Sequence, residues 1–167
     1  RDCDINNFVL AAENLTKLGY YVFRMGAIVN KKIKYKNSKI IDYATNGMRT
    51  ELLDLYLSSK CEFCISTSLG LDSVIDIFRK PMIITNFLPF GQLRYERDNV
   101  ITIFKHHFSK YKNKNLKMKE INDLGIGYSY KKSDFDKEGI KLIENNEKEI
   151  YEATLDLLYL LKNKNFD

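Results

Sequence analysis

The sequence predicts an α/β fold: a parallel sheet with helices on both faces. Two observations carry this. Short apolar runs near 20–25, 61–66 and 81–86 alternate with segments of helical periodicity. The last of these runs, Pro81 to Asn86, is too apolar for a half-exposed strand, as strands covered on both faces are. At 167 residues the chain suits one domain with a sizeable core. It shows no internal repeat and no linker.

The elements follow in order. Phe8, Ala11, Ala12, Leu15 and Leu18 share one helical face, with Asp4, Asn6 or Asn7 as cap and Gly19 at the exit. Residues 20–25 read as a strand ending at Gly26. Residues 27–38 form a basic loop without apolar periodicity, and Ile40, Ile41 and Tyr43 a short strand or turn. Thr50 caps a helix reaching Ser59, with Leu52, Leu53, Tyr56 and Leu57 expected to face inward. A strand over 61–66 and a helix over 71–79 follow, the helix carrying Val74, Ile75, Ile77 and Phe78. After the strand at 81–86, Leu88-Pro89-Phe90-Gly91 breaks the pattern. Residues 92–135 have the weakest periodicity; a strand at 100–104, a basic loop and a helix at 117–124 are expected there. A strand at 141–143 precedes a final helix. Asn146 and Glu149 form its capping box, and Ile150, Ala153, Leu157, Leu158 and Leu161 its apolar stripe.

Composition narrows the function classes. Hydrophobic residues make up 44% and charged residues 29%, an ordinary globular balance. No apolar run approaches the roughly 20 residues that span a bilayer. No signal peptide is visible, and the chain opens on Arg1 rather than Met, as a fragment of a larger protein would. The net charge of +5 is weak evidence for nucleic acid, because only six of the 27 cationic residues are arginine. The basic stretches at 31–36 and 105–119 read as solvated loops or helix faces. Three cysteines, Cys3, Cys61 and Cys64, suit a reducing compartment. Cys61 and Cys64 are spaced like a redox or zinc pair. As residues of one strand three apart they would point to opposite faces, so buried structural thiols are expected instead.

Chemistry is expected where ligands bind in open α/β sheets, beyond the carboxyl ends of the strands. Three such ends are legible: Arg24-Met25-Gly26, Ser66-Thr67-Ser68-Leu69-Gly70 and Thr85-Asn86. As parallel neighbours they would open onto one crevice. Ser66, Thr67, Ser68 and Gly70 suit a phosphate-binding turn at a helix start, although Ser68 would equally serve as a cap. Asp72 would contact a ligand hydroxyl or complement the helix dipole. Arg24 would neutralise a diphosphate or sit in a buried ion pair. His106 and His107, adjacent in a basic segment, read as surface residues, and Tyr128, Tyr130 and Phe135 as packing residues. No metal-ligand spacing is present, so no metal or other cofactor is expected.

These stretches carry a resemblance. Arg1-Asp2-Cys3-Asp4-Ile5, Gly19 to Gly26, Ile40-Ile41-Asp42-Tyr43-Ala44, Lys60 to Ser68, Phe78-Arg79-Lys80-Pro81 and Gly139 to Asn146 with Glu149-Ile150 resemble a family of bacterial glycosyltransferases from surface-polysaccharide gene clusters. More distantly, the strand running into a Ser/Thr-rich turn is similar to the donor domain of fucosyltransferases. The resemblance implies a GT-B architecture of two Rossmann-like domains, with this chain as the carboxyl-terminal, donor-binding one and the acceptor domain outside it. It implies that Ser66, Thr67 and Ser68 hold the donor diphosphate with help from Arg24, and that Asp42 and Glu144 reach nucleoside or sugar hydroxyls. The implied partners are a nucleotide-diphosphate sugar, a glycan or lipid-linked acceptor and the missing domain, with no specific nucleic acid. The implied location is the cytoplasm or the inner membrane face. Two alternatives stand beside it: a non-enzymatic module binding RNA or anionic lipid through 105–119, and another anionic-donor transferase such as a pyruvyl transferase.

Overall fold

A computed structural model of the protein describes residues 3–93 and 97–163. The chain is a mixed α/β structure. A 3-10 turn at Ile5–Phe8 runs into α1 (Val9–Lys17), followed by β1 (Val22–Phe23), β2 (Ile40–Ile41), α2 (Glu51–Lys60), β3 (Cys64–Ser66) and α3 (Asp72–Ile77). Then come β4 (Met82–Phe87), a second 3-10 turn at Phe90–Gln92, β5 (Val100–Phe104), β6 (His106–Ser109) and β7 (Lys114–Asn115). The chain continues with α4 (Met118–Asp123), α5 (Lys132–Lys137), β8 (Ile140–Ile143) and α6 (Glu147–Asn163). None of the described helices is long and apolar enough to cross a membrane.

The strands form three small sheets. β3, β4 and β5 lie side by side in parallel, β1 pairs with β2 in parallel, and β6 runs antiparallel to both β7 and β8. The expected parallel sheet is therefore present but limited to three strands. The strand expected at 141–143 belongs to an antiparallel sheet, and β6, β7 and α5 were not expected at all. Only Lys105 separates β5 from β6, so the chain leaves one sheet and enters the next almost without a turn.

Each sheet has its own core. Ala12, Ile33 and Ile40 close against Ile5, Val9 and Val22 beneath α1. Ile83 on β4 meets Ala153 and Leu157 on α6, with Phe63, Ile65, Ile101 and Ile103 around them. Ile121, Ile126, Phe135 and Ile140 form the third, between α4, α5 and β8. The apolar stripe of α6 thus covers the central sheet, as its spacing predicts.

Local signals set the helix ends. Tyr20 N–H donates to Leu15 O at 3.1 Å and Gly19 N–H to Thr16 O at 3.1 Å, a Schellman closure in which Gly19 has φ +100°. Thr50 Oγ1 accepts from Leu53 N–H at 3.1 Å. At α6, Asn146 Oδ1 accepts from Glu149 N–H while Glu149 Oε2 accepts from Asn146 N–H, a reciprocal cap.

Several expectations fail where burial depends on distant chain. On α2, Leu52 is 78% and Tyr56 56% exposed while Leu53 and Leu57 are half-buried, so only half of the face expected to point inward is covered. Cys61 ends α2 rather than lying in a strand with Cys64, and its Sγ donates to Ser58 O. The three cysteines are unbridged. Burial raises the thiol pKa of Cys61, and burial followed by the Asp72 carboxylate raises that of Cys64, so both stay protonated and unreactive. The basic 27–38 loop, without periodicity of its own, is pinned by Ile33, which is 8% exposed.

Candidate functional site

The carboxyl ends of β3, β4 and β5 meet at one small cavity of about 110 Å³, lined by Thr67, Ser68, Asn86, Leu88, Lys105 and Tyr130. Parallel register makes this possible. Ser66 stands opposite Ile84 and Phe87 opposite Phe104, so the residues leaving the three strands emerge at one edge. Thr85 Oγ1 donates to Ser66 O at 3.0 Å and ties the first two strand ends together.

The turn after β3 is closed by the protein's own carboxylate. Asp72 Oδ1 accepts from the Ser66 hydroxyl, and Oδ2 accepts from Leu69 N–H at 3.0 Å. A negative charge already sits where a phosphate was expected, and α3 has only six residues. The cavity wall is formed instead by Thr67 and Ser68, which follow β3. Ser68 takes φ +61°, a left-handed turn conformation that redirects the chain at this point.

Asn86 is held from the opposite side. Its N–H donates to Asn145 Oδ1 at 2.7 Å and its Oδ1 accepts from Asn145 N–H at 2.7 Å. Asn145 Nδ2 donates to Phe104 O at 2.9 Å, so one buried side chain joins the ends of β4, β5 and β8. Among the described residues, the buried Nδ2 of Asn86 has no hydrogen-bond partner. Native buried donors are rarely left so.

Lys105 supplies the positive charge. Its side chain is 17% exposed and lies 3.7 Å from Glu144 Oε1. That distance exceeds a hydrogen bond, so the ammonium keeps donors for another acceptor. Glu144 Oε2 also accepts from Asp4 N–H at 3.2 Å. Of the residues singled out from the sequence, the structure brings Thr67, Ser68 and Asn86 to the cavity wall, with Ser66, Asp72 and Glu144 one contact behind. Gly70 lies in the adjoining turn.

Arg24, Gly26 and Asp42 belong to another sheet. β1 pairs with β2, not β3, so the first strand is not in one ladder with the other two. Arg24 Nη1 meets Asp42 at 3.1 and 3.2 Å, and Asp42 Oδ2 accepts from Ile33 N–H at 3.2 Å. The guanidinium and carboxylate are 10% and 8% exposed, the buried ion pair that stood as the alternative for Arg24. Gly26 has φ +150°, and a Cβ there would meet Val29 at 2.8 Å, which explains its glycine. Arg1 and Asp2 lie outside the described residues.

Lys105 and Tyr130 were missed. Lys105 was grouped with a basic stretch, and only its place between two strands reveals its burial. Tyr130, expected to pack, is 51% exposed and its hydroxyl donates to Gln92 Oε1; Tyr128 is 69% exposed. The rest of the basic stretch is offset locally. Lys112 and Lys114 both reach Glu120, and the bond from Lys112 leads in lowering its pKa to about 2. Among the described residues, no three His, Cys, Asp or Glu side chains group as a metal set would.

The histidines are not surface residues of a loop. His106 Nε2 lies 2.6 Å from Glu149 Oε1, on the cap of α6. His107 is 2% exposed, edge-on to Phe135, with Nδ1 3.0 Å from Lys105 O. A carbonyl only accepts, so Nδ1 carries the proton and Nε2 is a buried acceptor without a partner among the described residues. Burial leads in depressing its pKa. A depressed folded pKa means stability that is complete above the unfolded value of about 6.5 and lost as pH falls. Urea midpoints measured from pH 7 to 5 should therefore fall more steeply for wild type than for His107→Phe. Equal slopes would show that His107 does not contribute.

No family model matches the sequence, and neither a curated protein nor a solved structure matches it.

Proposed function

We propose that the chain is the donor-binding domain of a glycosyltransferase and holds the diphosphate of a nucleotide sugar at the carboxyl edge of the β3–β4–β5 sheet. The observation that carries this reading is the half-buried Lys105 side chain, at longer than hydrogen-bond distance from its carboxylate, lining a cavity with Thr67, Ser68 and Asn86. An ammonium with donors to spare suits an anion. The resemblance read from the sequence gives that anion its chemistry, and with it the Rossmann-like, two-domain GT-B arrangement, a glycan or lipid-linked acceptor, the acceptor half and a cytoplasmic setting.

The role of these residues is electrostatic. As the glycosidic bond breaks, charge builds on the leaving diphosphate. Lys105, the Thr67 and Ser68 hydroxyls and the Asn86 amide are already positioned for it and need little reorganisation. Arg24 and Asp42 hold the β1–β2 unit together rather than entering this step. The RNA or lipid reading has less support, because Lys112 and Lys114 are engaged by Glu120.

Titrating UDP- and GDP-sugars into labelled protein should move the amides of Thr67, Ser68, Asn86 and Lys105. Lys105→Met should weaken binding about 10- to 100-fold, the loss of one or two charge-assisted hydrogen bonds. Unmoved amides in folded protein at saturating nucleotide would overturn the reading. A panel including other anionic donors separates a sugar transferase from a pyruvyl transferase.

A further inference from the structure

The cavity at Lys105 is too small for a nucleotide sugar. Its volume of about 110 Å³ falls well below the ~300–1,000 Å³ of complete small-molecule sites and suits a charged group alone. A second space, a groove of about 560 Å³, is lined by Phe90, Gly91, Leu93, Met118, Asn122 and Tyr128. The same two segments border both spaces. Leu88 lines the cavity and Phe90 the groove; Tyr130 lines the cavity and Tyr128 the groove. Gly91 N–H donates to Gly127 O at 2.7 Å, and Tyr130 bonds Gln92, so the two segments that contribute to both spaces are bonded to each other.

We propose that this groove seats the base of a nucleoside diphosphate whose phosphates lie at Lys105. The inference rests on the donor-binding reading above and adds which part of the molecule carries recognition. Three observations favour a base over another occupant. None of the described residues lining the groove is charged, matching a neutral ring. The Tyr128 ring is braced: a Cβ at Gly91 would fall 2.6–2.7 Å from three of its atoms, so only glycine lets the ring lie against the backbone. The ring is nevertheless 69% exposed, which leaves surface for stacking. Asn122 also lines the groove and would offer its amide to a base edge.

The test compares UDP and GDP with inorganic pyrophosphate by calorimetry, using wild type, Tyr128→Ala, Tyr128→Phe and Lys105→Met. Tyr128→Ala should weaken both nucleotides about 5- to 100-fold, the range of base–aromatic stacking. It should leave pyrophosphate unchanged, and Tyr128→Phe should bind as wild type. Saturation transfer from the protein should be stronger to the base protons than to the ribose. Nucleotide affinity unaffected by Tyr128→Ala would overturn the groove assignment and leave the donor-binding reading intact. Equal losses for nucleotide and pyrophosphate would also overturn it, since Tyr128 would then act on the cavity rather than on a base. Binding of neither nucleotide nor pyrophosphate to folded wild type would overturn both.

Discussion

Replacing Asp42 by Ala should lower the free energy of unfolding by about 3–5 kcal/mol, the cost of stranding a buried charge. The Arg24 guanidinium is 10% exposed and has Asp42 on its Nη1. Without the carboxylate it must remain unpaired in a low-dielectric setting or drag water into the β1–β2 unit. The Ile33 N–H loses its acceptor as well, loosening the loop that Ile33 anchors beneath α1. The double replacement Arg24→Met with Asp42→Leu should recover most of the loss, because apolar side chains of similar size often replace buried ion pairs at little cost. Urea denaturation of the three variants measures this directly. A loss below about 1 kcal/mol for Asp42→Ala would show a pair that water already screens. The double variant also decides what Arg24 does: it should bind nucleotide as wild type does if Arg24 is structural, and should lose binding if Arg24 touches the diphosphate.

Asn145→Ala should cost about 2–4 kcal/mol and weaken ligand binding together with stability. The side chain is 2% exposed and joins three strand ends. Its loss removes the acceptor of Asn86 N–H and the donor to Phe104 O, leaving two buried groups unsatisfied at roughly 1–3 kcal/mol each, less what relaxation recovers. Asn86 sits at φ +54°, a conformation that depends on its surroundings, and Lys105 directly follows Phe104. Both cavity donors would therefore shift. Amide hydrogen exchange at Asn86 reads the first effect, as faster exchange in Asn145→Ala. Asn145→Asp keeps the acceptor and should retain that protection while losing the bond to Phe104 O. Unchanged exchange in Asn145→Ala would show that Asn86 is held by other means.

Helices were legible because their signals are local. Gly19, Thr50 and the Asn146–Glu149 pair mark helix ends through bonds spanning three to five residues, and the α6 stripe repeats at helical spacing. Strand partners were not, because pairing joins distant segments. Nothing in Val22-Phe23 or Ile40-Ile41 states that they pair with each other, and that choice set Arg24 against Asp42. The segment 105–119 misled for a related reason. Composition averages Lys105, which is half-buried where the chain passes between two sheets, with Lys112 and Lys114, which meet Glu120 at the surface. The face of α2 was misread because periodicity says that a stripe exists, not that anything stands opposite it.

By itself the sequence determined the α/β class and the parallel run of strands at 61–104, since these follow from apolar periodicity, capping and turn chemistry along short stretches of chain. It also pointed to the carboxyl edge of those strands as the candidate site. Tertiary structure alone decided which charges reach that edge. It set Asp72 into the expected phosphate turn, paired Arg24 with Asp42, and brought Lys105, Asn86 and Tyr130 together from separate segments. The reason is that Coulomb and hydrogen-bond energies depend on separations of a few ångströms in space, and those separations exist only once the sheets have chosen their partners.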